Sequence, residues 1–228
     1  MVKRLWVGFM AIILTACILP NLTNTNSLAQ TRDDMYAHSI MATVKIIYTV
    51  RSTDIYGDTM EESNIGSGVL ICPNQVITCY HLFADCIPGK IKIYIMLIGK
   101  TLMRDDVTIR KYSKKDDLAL LIINPPVEDI SPIPIAALTP QLGTDVRFVG
   151  HTILPVTRLR FSKFSESLKG IMISPVFFGD SGGGVFNTKG ELIGIIYTTY
   201  RIDFNNDHQY TLIGYALPID RITEFLDE

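Results

Sequence analysis

Phe178-Gly179-Asp180-Ser181-Gly182-Gly183-Gly184, followed by the apolar run Glu191-Leu192-Ile193-Gly194-Ile195-Ile196, is the stretch whose reading decides the fold. A serine set among glycines has backbone N–H groups free to point at a developing oxyanion, because glycine adopts conformations that other residues resist. Gly179 to Gly183 also satisfies the loose Gly-x-Ser-x-Gly pattern of a strand-to-helix nucleophile elbow. Such an elbow needs a helix directly after the serine and a histidine last in the chain. Here glycines follow the serine, which is poor helix material, and the only later histidine is His208. Gly184 to Tyr200 reads instead as two strands joined at Asn187-Thr188-Lys189-Gly190. The serine alone fits equally a glycine-rich turn without chemistry. The rest of the chain separates the two readings.

The 228 residues carry 47% hydrophobic and 19% charged side chains, enough for one well-buried domain or two small ones. A net charge of -2 without long runs of one sign gives nucleic-acid binding no support. No internal repeat or low-complexity tract is visible.

Residues 1 to about 30 differ in kind. Lys3 and Arg4 precede an apolar run from Leu5 to Leu19 that Pro20 closes, and Ser27-Leu28-Ala29 is small where a signal peptidase reads. Export is the natural expectation. Three fates fit the segment: cleavage after Ala29, lipidation at Cys17 within the lipobox-like Leu14-Thr15-Ala16-Cys17, or an uncleaved anchor. Membrane contact is expected only through this segment, if it is retained. An exported chain permits disulfides; Cys79 and Cys86 flank His81 and could pair, or Cys72, Cys79 and Cys86 could be small core residues. No Cys-x-x-Cys or His-x-x-x-His spacing points to a metal.

After a short lead-in helix over 33–40, β-branched strand material runs over 42–50, and a polar loop is expected over 51–64. Gly66 to Cys72 and Gln75 to Thr78 read as a hairpin turning at Pro73-Asn74. Further strands are expected over 91–97, 107–112, 118–123, 145–150, 159–161, 170–174 and 210–217. Five prolines between Pro125 and Pro140 mark a long crossing between two halves. Ile219, Ile222, Phe225 and Leu226 recur at helical spacing behind Pro218, so the chain is expected to end in a helix. Many short, evenly spaced strands favour barrels or sandwiches, hence an all-β class.

A serine hydroxyl needs a base to take its proton and a carboxylate to orient that base. His81 follows the strand ending at Thr78, and Asp117 precedes the strand beginning at Leu118, though Asp116 beside it makes that choice ambiguous. His38, His151 and His208 lack a matching context. The chain order is then histidine, aspartate, serine.

Ile77-Thr78-Cys79-Tyr80-His81, Asp117-Leu118-Ala119-Leu120-Leu121 and Gly179-Asp180-Ser181-Gly182-Gly183 resemble the three signature blocks of chymotrypsin-fold (trypsin-like) serine proteases. Gly66-Ser67-Gly68-Val69, Gly190 to Ile195 and Gly214 to Ile219 are similar, more specifically, to the HtrA/Deg branch. The resemblance spans about residues 42 to 226. It implies two six-stranded antiparallel β-barrels, at about 40–124 and 140–217, with a short helix over 218–228 and the active site between the barrels. It also implies a serine endopeptidase that cleaves polypeptides through an acyl-enzyme and needs no cofactor or metal. His81 would be the general base, Asp117 its orienting carboxylate, Ser181 the nucleophile, and the N–H groups of Gly179 and Ser181 the oxyanion hole.

Departures from the family pattern matter. Gly184 stands where proline often follows Ser-Gly-Gly. HtrA proteins commonly have asparagine before the serine, whereas Asp180 resembles the digestive enzymes, in which that aspartate pairs with an N-terminus freed by cleavage. No such activation site is visible, so Asp180 needs another partner or stays solvated. Typical HtrA proteases continue into a PDZ domain, and none is expected here. The resemblance builds the substrate pocket from Pro175, Val176, Phe177, Ile196, Tyr197, Thr198 and Thr199. Without an acidic residue at its base, small or medium apolar side chains are expected at the cleaved position. The expected function is an exported, periplasmic or secreted endopeptidase acting on unfolded or damaged proteins; the alternative is a catalytically silent binding protein that kept the fold.

Overall fold

The computed structural model describes residues 34–228 apart from 54, 85, 98–99, 153–156, 168–169, 174 and 205–208. The expected signal segment with Cys17, and His208, lie outside the described residues. The chain divides into two units. In Met1–Ala37 only 34–37 are described, and they are helical. His38–Glu228 holds everything else, and the helix ends within it at residue 42.

The first half forms a seven-stranded antiparallel sheet. Its strands are β1 (Thr43–Thr53), β2 (Thr59–Cys72), β3 (Gln75–Cys79), β4 (Cys86–Leu97), β5 (Lys100–Arg104), β6 (Val107–Ser113) and β7 (Leu118–Ile123), in the order β5-β4-β1-β2-β3-β7-β6. The second half forms another, from β8 (Asp145–His151), β9 (Thr157–Lys163), β10 (Glu166–Ser167), β11 (Gly170–Ile173), β12 (Gly184–Phe186), β13 (Leu192–Phe204) and β14 (Gln209–Pro218), in the order β10-β11-β14-β13-β12-β8-β9. The first sheet curls until β4 and β6 approach each other, and β8 packs against β1 and β2 where the halves meet. A terminal helix, Ile219–Asp227, buries Ile219, Ile222 and Phe225. This is the all-β, chymotrypsin-like architecture that the resemblance implied.

Two expectations need correction. Each sheet has seven strands among the described residues, not six. In the first, Lys100–Arg104 folds back along Ile93–Leu97 as a hairpin. In the second, the two-residue β10 is too short to leave an alternation in the sequence. Second, the polar stretch 51–64 is not a loop over most of its length but the outer part of the β1–β2 hairpin, paired out to Thr53 and Thr59. A ladder of backbone hydrogen bonds holds register there without an apolar face.

The core of the first sheet, with Ile77, Leu118 and Leu121 at its centre, continues into the crossing segment through Val127, Ile130 and Ile133 and into the terminal helix. A second cluster, around Phe148, Ile171 and Ile196, fills the other sheet. The two cores are what hold the strand ends between them in fixed positions.

Candidate active site

β3 ends at Cys79 and passes the chain to a 3-10 turn, Tyr80–Phe83, that carries His81. Its ladder partner β7 begins at Leu118, which pairs with Cys79. His81 and Asp117 therefore leave the same end of one ladder. Asp117 has φ +53°, a left-handed conformation uncommon outside glycine. Its carboxylate grips His81 at two points: Oδ1 accepts from the His81 backbone N–H at 2.7 Å, and Oδ2 lies 2.7 Å from Nδ1. A carboxylate oxygen accepts, so the proton sits on Nδ1 and leaves Nε2 to act as an acceptor. Asp116 faces elsewhere. One of its oxygens accepts from the Ser113 hydroxyl at 2.8 Å, and the other pairs with Arg221. The ambiguity between the two aspartates is thereby resolved by geometry.

Ser181 sits on the turn before β12. Ser67 N–H donates to the Ser181 carbonyl at 2.7 Å, and Gly182 N–H to the Ile196 carbonyl at 2.7 Å. The Ser67 hydroxyl donates to the Gly179 carbonyl at 2.6 Å and accepts from His151 N–H at 2.8 Å. Thr78, three positions before His81, donates through its own hydroxyl to the Ser67 carbonyl at 2.6 Å. Ser67 is thus bonded both to the strand that delivers His81 and to the turn that carries Ser181. Gly182 (φ +84°) permits this, since a Cβ there would collide with the Ser67 carbonyl and the Thr78 hydroxyl. Only glycine lets the turn lie so close to β2.

Gly183 N–H donates to the Asp180 carbonyl at 2.8 Å and closes the turn. Among the described hydrogen bonds, the N–H groups of Gly179 and Ser181 donate to no acceptor. The Ser181 hydroxyl also enters none of them. The structure thus joins His81 to Asp117 and does not join Ser181 to His81 by a hydrogen bond.

Asp180 is fully buried and not solvated. Its Oδ2 accepts from Arg160 Nη1 at 2.6 Å and from Phe177 N–H at 2.8 Å. Nothing in the spacing of the sequence pointed to Arg160 or to the linking role of Ser67. Of the residues expected to form the pocket, Val176 and Ile196 are buried in the core of the second sheet. Pro175, Phe177 and Thr199 are exposed, and Tyr197 and Thr198 are half-buried. Phe178, absent from the expected set, is 93% exposed immediately before Gly179.

Cys79 and Cys72 are free thiols, so of the two alternatives the sequence left open the pairing of Cys79 with Cys86 is not the one adopted. Cys79 Sγ, His81 and Asp117 offer ligand atoms within 4.8 Å of one another. Burial first, and then the charge of Asp117, push the Cys79 thiol well above its ordinary pKa, which disfavours the thiolate that a metal would need. Its Sγ instead points at the Ile196 carbonyl at 3.1 Å. His151, on the far side of Ser67, is buried and donates through Nε2 to the Thr43 carbonyl at 2.8 Å.

A family model described as a trypsin-like peptidase domain matches residues 66–195, more than half of the chain. The chain belongs to this family. No curated protein matches it. The matched span of this trypsin-like peptidase domain runs from the residue before Ser67 to β13, and so contains His81, Asp117 and Ser181.

Proposed function

We propose that this trypsin-like peptidase is an active serine endopeptidase, delivered outside the cytoplasm by its N-terminal segment and directed at unfolded or damaged polypeptides as HtrA-type enzymes are. Ser181 is the nucleophile, His81 the general base and Asp117 the orienting carboxylate. The observation that carries this reading is the two-point grip of Asp117 on His81, together with a turn whose Gly179 and Ser181 N–H groups donate to no acceptor among the described hydrogen bonds. With Nδ1 protonated, Nε2 takes the Ser181 hydroxyl proton as the oxygen attacks the scissile carbonyl. The tetrahedral oxyanion is received by the N–H groups of Gly179 and Ser181, and His81 returns the proton to the leaving amine. Water then enters, and the same base drives hydrolysis of the acyl-enzyme. Exposed Phe177 and Phe178 at the edge of the turn suit apolar substrate side chains, which unfolded chains present.

The absence of a hydrogen bond from Ser181 to His81 favours a second reading, a silent protein that kept the fold. Catalytic hydrogen bonds of substrate-free enzymes often close only in the complex, so the distinction is experimental. A fluorophosphonate probe is expected to label the folded protein at Ser181, with labelling lost in Ser181→Ala and strongly reduced in His81→Ala, and unfolded casein is expected to be cleaved. Correctly folded protein that neither takes the label nor cleaves casein would establish the silent reading.

A further inference from the structure

Asp180 is a fully buried carboxylate one residue before the proposed nucleophile, and its place depends on a counter-charge. That charge comes from β9, which forms an outer strand of the second sheet. Arg160 Nη1 donates to Asp180 Oδ2 at 2.6 Å and to the Pro175 carbonyl at 3.0 Å. Both described hydrogen bonds of the guanidinium therefore go to the segment 175–180 and none to its own strand. Its carbon lies 4.6 Å from the centre of the Phe148 ring and 5.9 Å from that of Phe177, which fixes the plane of the group. The side chain is only 11% exposed, so water screens the pair little. Asp180 in turn accepts from Phe177 N–H. Gly150 lies alongside, where a Cβ would strike Asp180 Oδ1. One guanidinium thus ties together the residues before the turn, the buried carboxylate within it and, through the peptide that follows Asp180, the direction of the Ser181 N–H.

We propose that Arg160 is the positioning residue of the oxyanion turn, an internal and permanently charged counter-ion that holds Gly179 and Ser181 with their N–H groups turned to the substrate. The assignment rests on the endopeptidase reading for its kinetic consequences, but the ordering of the turn can be read without turnover. A guanidinium stays charged throughout the accessible pH range, whereas an ammonium in its place deprotonates near its ordinary value of about 10.4.

The experiment compares the full chain with Arg160→Gln and Arg160→Lys, by kcat and KM on a peptide substrate from pH 7 to 11 and by amide hydrogen exchange over 175–183. Active-site titration corrects for inactive protein. Arg160→Gln is expected to lose on the order of 10²-fold in kcat, as for an oxyanion donor displaced, with KM changed far less. Exchange at 177–181 is expected to accelerate, and added methylguanidinium to restore part of the rate. Arg160→Lys is expected to recover most of the activity at pH 8 and to lose it towards pH 11, where the parent stays level. Should Arg160→Gln not fold, the alkaline loss in Arg160→Lys carries the test. A glutamine variant that keeps kcat within threefold and the parent's exchange at 177–181 overturns the assignment. An inactive parent whose turn still loosens in Arg160→Gln would defeat the endopeptidase reading and leave the positioning role intact.

Discussion

Asp117 shows how much one residue's backbone can decide. Its left-handed φ of +53° turns the carboxylate back onto His81 and holds both the N–H and Nδ1. Asp117→Asn keeps an acceptor for only one of these donors; its amide group would face Nδ1 and favour the wrong tautomer. The expected result is a loss in kcat on the order of 10³ to 10⁴-fold with the fold intact, checked by steady-state kinetics beside circular dichroism. Ser67 is the second such residue. Its hydroxyl satisfies a buried N–H of His151 and the carbonyl of Gly179, 112 positions away. Ser67→Ala leaves two polar groups unmatched, so a destabilisation of about 2 to 4 kcal/mol in urea unfolding is expected, with a fall in kcat. The strand pattern was enough to place His81 just after a strand and Ser181 in a turn just before a hairpin. It left Asp116 and Asp117 equivalent, because only a φ value and the contacts of Ser113 and Arg221 distinguish them. The contacts of Ser67 and Arg160 with the segment 175–181 were not legible, since no local periodicity encodes them.

Among the elements, those with an apolar rhythm were readable and those held by backbone ladders were not. The terminal helix was expected at 218–228 and occupies Ile219–Asp227, because Ile219, Ile222 and Phe225 repeat at helical spacing and meet the first sheet's core. The outer β1–β2 hairpin, with residues 58–64 exposed, offered no such rhythm and read as loop. Lys100–Arg104 was hidden for a related reason, as a short edge strand paired only with β4. The helix is also part of the fold's stability and not an appendage. Phe225 is buried in the first core, and Lys111 Nζ stands 4.7 Å from its ring centre. Phe225→Ala is expected to cost about 3 to 5 kcal/mol, seen as a fall in Tm of about 10 °C or more by calorimetry. A variant that melts within about 2 °C of the parent would show that the helix packs on the sheet without supporting it.

At the scale of the whole molecule a titratable ring bridges the two sheets beside the turn that carries Ser181. His151 ends β8 of the second sheet, yet its ring donates to Thr43 on β1 of the first and its backbone N–H to Ser67 on β2. Burial lowers its pKa from 6.5 to about 4; the Thr43 hydrogen bond and the charge of Asp180 oppose that shift, and Lys45 adds to it. The folded protein therefore keeps this ring neutral where the unfolded chain would protonate it. As pH falls from about 6.5 the unfolded state takes up a proton that the folded state refuses, so stability declines until about pH 4, where both forms are charged. The full difference is about 3 kcal/mol. Replacing the ring by His151→Gln keeps a donor within the chain and removes the titration. Urea unfolding at intervals between pH 7 and pH 4 is expected to show the parent losing about 3 kcal/mol more than the variant over that window, on top of the carboxylate contribution common to both. Because the same histidine backbone holds Ser67, and Ser67 holds the Gly179 carbonyl, acid loosening of this junction is expected to reach the turn before the sheets separate. Hydrogen exchange in 177–183 should then accelerate at a higher pH than exchange in β3 or β7, and equal onset in all three would show that the junction and the two sheets open as one.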